Sequence, residues 1–306
     1  MQSARIRRRW WQTQTFRDHV SGYLYVAPFI AVFLAFQLFP ILYTFYVSLF
    51  SWKAIGGREF LGLRNYVWLF ADDPKFWRSV MNTFTIWFLS TVPQLSLALV
   101  LAKALDRNIR GLVVFRLGAF MPNITSLAAI AIIFSGIFSR DYGIVNWVLS
   151  WFGADKIDWV AGYWTAQIAV ATMVNWRWTG YNAIIYLAAL QTVPRELHEA
   201  AILDGASAVR RFIEITIPMI RPVILFTVML STIGGMQLFV EPFLFSGGYE
   251  GGARNQVLTM TLYMYATGFR DYSFGYASAI SWVTFLIIVL FVAVNYSLAR
   301  RIRSAG

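Results

Sequence analysis

HEAAILDGASAVRRFIEITIP, His198 to Pro218, is more polar than the long apolar runs on either side of it. Pro194 can occupy the first turn of a helix at no hydrogen-bond cost, so Arg195 to Leu203 reads as a short helix that Gly205 ends. Ser207 is a good N-cap for a second short helix running to about Ile215, before Pro218 breaks it and the next apolar run begins. Two helical pieces at an angle make a knob. Ala200 and Ala201 allow a backbone to approach closely, while Glu199 and Asp204 beside them offer ion pairs to a basic cleft. A polar connector exposed between two membrane spans has the same composition, so residue chemistry alone leaves both readings open.

Outward from this stretch the chain is a membrane protein by composition. Its 306 residues are 58% hydrophobic and 13% charged, against about a quarter charged for a soluble domain. The lack of cysteine excludes disulfides and thiolate metal sites, and two histidines, His19 and His198, argue against a histidine metal cluster. The net charge of +11 does not point to nucleic acid, because the basic residues crowd the ends of apolar runs, which is the pattern of membrane orientation.

A spanning helix needs about 20 predominantly apolar residues, and six runs pass: Val20 to Trp52, Ser79 to Ala102, Leu117 to Ser139, Trp159 to Pro194, Pro222 to Tyr249 and Tyr272 to Ala299. Arg177 interrupts the fourth and Glu241 the fifth. The first run is too long for a cleaved signal peptide and lacks a small-residue cleavage site. RIRRRWW, Arg5 to Trp11, precedes it as a basic arm. With the N-terminus inside, the cytoplasmic segments 1–20, 103–116, 191–221 and 300–306 hold 16 Lys and Arg against 9 in the external ones. Both termini and the opening stretch therefore face the cytoplasm. Trp147, Trp151, Trp159 and Trp164 read as an interfacial aromatic belt.

The chain carries no Gly-x-x-x-x-Gly-Lys-Ser/Thr phosphate loop, and no paired acid–base or metal cluster that would make it an enzyme. The competing reading is a self-sufficient secondary carrier or channel for a small polar solute, which would show acidic residues in its spans. Glu241 is the one such residue. Polar groups in spans face a bundle interior or a water-filled cavity, and they cluster in NWRWTGYN, Asn175 to Asn182, and in STIGGMQLFVE, Ser231 to Glu241. This mixture of aromatic faces and planar amides suits sugars. Helix–helix glue, at about 0.6 kcal/mol per contact, is the alternative for each residue.

EAAILDGASAVRRFIEITIP resembles the EAA signature of importer-type ABC permeases through Glu199, Ala200, Ala201, Asp204, Gly205, Ile217 and Pro218. FLGLRNYVWLFADDPKFWRSVMNTF, Phe60 to Phe84, and FGYASAISWVTFLII, Phe274 to Ile288, are similar to MalF-like sugar permeases of the carbohydrate uptake family. The maltose MalF protein has further N-terminal spans and a large external domain, so the resemblance is nearer to the six-span lactose, glycerol-phosphate and cellobiose permeases.

The resemblance implies an all-α integral membrane protein with six transmembrane helices, in the type I ABC importer permease fold. It implies a cytoplasmic arm over 1–20, a permease domain over 21–306 and coupling helices in the loop 191–221. It further implies a permease subunit of a sugar importer in the bacterial inner membrane, the solute being an oligosaccharide or glycoside. The implied partners are a MalG-like second permease, an ABC ATPase dimer and an extracytoplasmic sugar-binding protein. This subunit has no cofactor of its own, since ATP is used by the ATPase. Carried over from MalF, the substrate contacts are Trp178, Gly180, Tyr181, Asn182, Gly234 and Gln237, although an Asn-rich stretch stands in MalF where this chain has IGGMQ.

Overall fold

The computed structural model describes residues 14–106 and 110–304, and Arg5 to Trp11 lie outside them. The chain opens with α1 (Gln14–Phe33), a π-turn (Leu34–Leu38) and α2 (Phe39–Ser48), which form one continuous apolar helix. It ends earlier than the apolar run suggests. Phe50–Trp52 is strand β1, paired antiparallel with β2 (Arg58–Phe60) around a turn at Gly56 and Gly57, both with positive φ. There follow α3 (Arg64–Ala71) and α4 (Pro74–Leu105), the latter capped by Asp73, whose Oδ1 accepts from the Phe76 amide at 3.0 Å.

The third run is not one straight helix. It forms α5 (Leu112–Ile124) and α6 (Leu127–Ile137), bent by 96°. Pro122 cannot donate to the preceding turn, and Thr125 and Ser126 adopt extended backbone (ψ 141° and 132°), so a new helix starts there. A short α7 (Ile144–Ser150) leads to α8 (Tyr163–Leu190). Its 28 residues make about 42 Å of helix, enough for a bilayer core of about 30 Å. α8 is also the centre of the bundle, packed along α4 and against α5. Half of its residues are buried.

Beyond α8 lie α9 (Arg195–Leu203), α10 (Ala208–Arg211), a π-turn (Phe212–Thr216) and α11 (Ile217–Met236). Pro218 does not break this helix: Ala208–Met236 runs without interruption. A proline lacks the amide donor and its ring crowds the carbonyl four residues back; the wider π-turn just before it absorbs both faults. The same device precedes Pro40 in the first helix. The fifth span thus begins well before Pro222 and stops at Met236. After a break come α12 (Val240–Ser246), α13 (Met260–Tyr265), a π-turn (Ala266–Arg270) and α14 (Phe274–Ser304).

Among the described residues, Gly22–Ser48, Pro74–Leu105, Ala208–Met236 and Phe274–Ser297 are long and apolar enough to cross a membrane, and the bent pair α5–α6 makes a fifth candidate. α8 has the length, but its middle holds Asn175, Arg177, Thr179 and Asn182. Burial at the bundle centre accounts for those groups, because a helix shielded by its neighbours needs no lipid-facing apolar surface.

Polar ties lock the end of the bundle away from the knob. Asn82 accepts from the Tyr163 hydroxyl (2.8 Å) and from Gln167 (3.0 Å), and it donates to the carbonyls of Asn255 (2.7 Å) and Leu258 (3.0 Å). Asp73 accepts from the hydroxyls of Tyr263 (2.6 Å) and Tyr276 (2.5 Å), joining α4 to α13 and α14. Burial first, and then this carboxylate, hold the Tyr263 phenol above its ordinary range. Trp159 departs from the belt reading: it is buried and donates to Asn146 Oδ1 at 2.9 Å, whereas Trp147, Trp151 and Trp164 are exposed.

Candidate functional site

Two places stand out, a cavity between α4, α8 and α11 and the knob made by α9 and α10. The cavity holds about 220 Å³. α8 places Trp178, Tyr181 and Asn182 on it, one helical face by their spacing, with the two aromatic rings edge to face at 5.5 Å. Asn182 is buried and donates to the Trp178 carbonyl at 3.3 Å. α4 adds Thr91 and Gln94, and α11 adds Ser231, Gly234 and Gly235. The Gln94 amide donates to Ser231 Oγ at 3.3 Å, closing the wall between α4 and α11.

The knob is shaped by caps. Gly205 stands at φ +77°, where only glycine is free of strain. The Ala206 amide donates to the Ala201 carbonyl (2.9 Å) and the Gly205 amide to Ile202 (3.0 Å), a Schellman ending for α9. Ser207 Oγ then accepts from the Arg210 amide at 3.3 Å and starts α10. Arg211 reaches back to the Ala206 carbonyl at 2.7 Å and fixes the angle between the two pieces. Glu199, Ala200, Asp204 and Gly205 are exposed, Ala201 is half-buried, and Leu203 at the tip is 89% exposed.

The model of the family described as "binding-protein-dependent transport system inner membrane component" matches residues 69–304, from α3 to the end of α14. This chain belongs to that family. The permease is 41% identical over 286 residues to the lactose transport system permease protein LacF of Rhizobium radiobacter, covering 92% of this chain and 94% of that one. It is 32% identical to the trehalose/maltose transport system permease protein MalF of Thermococcus litoralis, covering 93% and 95%. A chain of a bacterial alginate ABC transporter, solved in complex with alginate pentasaccharide-bound periplasmic protein, superposes with a TM-score of 0.79 over 96% of this permease and 98% of that chain, at 21% identity. The fold is that of type I ABC importer permeases.

Within the permease, Trp178, Tyr181, Asn182 and Gly234 share the cavity, but Gly180 and Gln237 do not. Gly180 faces α5: a Cβ on it would lie 1.7 Å from the Ala119 carbonyl oxygen, so its role is close backbone packing. Gln237 is not mid-span. It is the C-cap residue of α11 and lines a separate groove of about 790 Å³ with Thr261, Met264 and Thr284. Gly234, in contrast, has nothing within 4 Å of an added Cβ and leaves the cavity wall open. The sequence reading passes over Thr91 and Gln94. An amide in the charge-free run Ser79–Ala102 was the available signal, since an intramembrane amide needs a partner. Ile217 and Pro218 lie apart from the knob, about 15 Å along the helix from Ala208 at 1.5 Å per residue, inside the span Ala208–Met236.

Proposed function

We propose that this chain is the permease subunit of an ATP-driven importer for a sugar, an oligosaccharide or glycoside, and that it supplies half of the translocation pathway. Its knob seats in one member of an ABC ATPase dimer, a MalG-like second permease supplies the other half, and an extracytoplasmic sugar-binding protein delivers solute. ATP is consumed on the ATPase, so the chain needs no cofactor and performs no catalysis. Both termini and the loop 191–221 face the cytoplasm.

The observation that carries this reading is the knob, a rigid, capped projection with an apolar tip at Leu203 and acidic flanks at Glu199 and Asp204. A mere connector has no need of a Schellman ending, an N-cap and a cross-strut from Arg211 in so few residues. The cavity supports the second half of the reading. At about 220 Å³ it falls short of the roughly 300–1,000 Å³ of ligand pockets, as expected of one wall of a path completed by a partner. The names of the relatives support a saccharide.

The deciding experiment reconstitutes the chain with its second permease, ATPase and binding protein in proteoliposomes, and measures uptake of labelled saccharides. Uptake should require both ATP and the binding protein. Flux through this chain alone would establish the carrier reading instead. Ser207→Cys and Asp155→Cys, in a chain without cysteine, should react with an impermeant thiol reagent from opposite sides; labelling from one side would overturn the topology.

A further inference from the structure

Arg177 and Glu241, charged residues inside the fourth and fifth apolar runs, have no part in the functions above. They meet. Arg177 Nη1 donates to Glu241 Oε1 at 3.0 Å, with the side chains 19% and 5% exposed, the most buried ion pair among the described residues. We infer that this pair is a releasable clasp that closes the end of the cavity away from the knob, and that Arg177 and Glu241 are positioning residues whose separation transport requires. The inference rests on the permease reading given above.

Three observations support it. The first is connectivity. Glu241 sits in the first turn of α12, just beyond the break at Gln237–Phe239, where Phe239 takes φ −131° and ψ −55° with no side-chain cap. α12 packs on α6, which itself follows the 96° bend after α5. The outer pieces of the third and fifth runs thus share one apolar cluster through Phe134, Phe138 and Phe245, and they join the rest of their runs through the 96° bend and through the break at Gln237–Phe239. That cluster also packs on α8 through Ala169, Val170 and Met173, a non-directional contact that can slide, and the ion pair is the directional tie that fixes the outer pieces to α8.

The second observation is the quality of the bond. Arg–carboxylate pairs are frequently bidentate, and the second bond adds energy and fixes geometry. Here one hydrogen bond is made, and Arg177 Nε is buried without a partner. A guanidinium with an idle donor has capacity for a different arrangement, which suits a contact that is made and unmade.

The third observation is position. The Arg177 guanidinium stands 5.0 Å over the ring of Trp178, and Trp178 and Leu238 both line the cavity. Moving the pair therefore moves a cavity wall. In a low-dielectric setting a charge pair is either formed or replaced by other partners, because a lone charge there is costly; this makes the clasp two-state.

The test uses the complete reconstituted complex. Arg177→Cys with Glu241→Cys, bridged by a short bis-methanethiosulfonate reagent, should lose uptake more than tenfold and regain it on reduction. Independently, Glu241→Gln should raise ATP hydrolysis in the absence of binding protein severalfold at normal complex abundance, and the exchange Arg177→Glu with Glu241→Arg should restore dependence on it. Uptake by the bridged complex at the unbridged rate would overturn the clasp, as would a Glu241→Gln complex with wild-type dependence on binding protein. Should Glu241→Gln fail to assemble, the bridging arm decides. Absence of ATP-driven uptake by the wild-type complex would instead refute the functional reading.

Discussion

The knob takes its shape from residues 194–211 alone, through a proline start, a glycine stop, a serine cap and an arginine strut, whereas the cavity draws Gln94, Asn182 and Ser231 from three helices. Gln94 and Ser231 touch across 137 positions of sequence. The knob is exposed and its geometry is local; the geometry of the cavity depends on how closely α4, α5, α8 and α11 approach. Changes at the knob should therefore alter what the protein does without altering whether it folds, while changes around the cavity should divide by which face of a helix they touch.

The largest effect is expected at Gly205. Leucine at φ +77° costs about 1–2 kcal/mol, taken from an exposed turn, so Gly205→Leu should insert normally yet lose ATP-driven uptake by more than tenfold. Normal uptake with a normal ATPase response would reduce the knob to a connector. Next is a contrast of two glycines. Gly180→Ala drives a methyl against the Ala119 carbonyl and should cost about 1–3 kcal/mol or more, read as a lower melting temperature of the complex. Gly234→Ala enters open space and should leave melting within about 0.5 kcal/mol while changing uptake. Equal behaviour of the two would dissolve the distinction between packing face and cavity face.

Gln237→Ala should cost about 0.6 kcal/mol and leave solute preference alone, since its amide lies outside the cavity; Gln94→Ala should shift that preference. A shift caused by Gln237→Ala in uptake competition would extend the path to the groove beside α14. The smallest effect belongs to Lys75 and Glu250 on the far surface, paired at 2.6 Å. The hydrogen bond from Lys75, ahead of Arg270, holds the Glu250 carboxyl below its ordinary 4.5. Its stabilisation is present above that value and lost as pH falls through the lowered one. Solvent screening keeps it to roughly a few tenths of a kcal/mol. Acidification below 4.5 should cost wild type slightly more melting temperature than Lys75→Met.

What could be read in the sequence divides along the same line. The Schellman turn at Gly205 and the cap at Ser207 follow from single residues whose conformational preferences are strong. Charge-free runs located α4 and α14 to within a few residues, because lipid tolerates few charges anywhere along a span. The bend at Thr125–Ser126 was not legible, since MPNITS interrupts its run with polarity and not with charge. Nor was the difference between Gly180 and Gly234: one letter serves both closest approach and empty space, and the neighbour that decides between them lies on another helix. Pro218 misled for a related reason. Proline forbids an ordinary turn, but whether the chain answers with a break or with a π-turn depends on what holds the helix on either side.

That π-turn has a mechanical consequence. Because Phe212–Thr216 widens where the helix would otherwise snap, Ala208–Met236 is a single shaft, about 43 Å long at 1.5 Å per residue. Its foot is tied to the Gly205–Ala206 turn that follows α9 by Arg211, and its head carries Leu230, Ser231, Gly234 and Gly235 into the cavity wall. A jointed chain would dissipate a push at the foot in its hinge. An uninterrupted helix leaves no hinge of that kind between foot and head, so under the proposed function a tilt of the knob would be carried along it to the cavity wall.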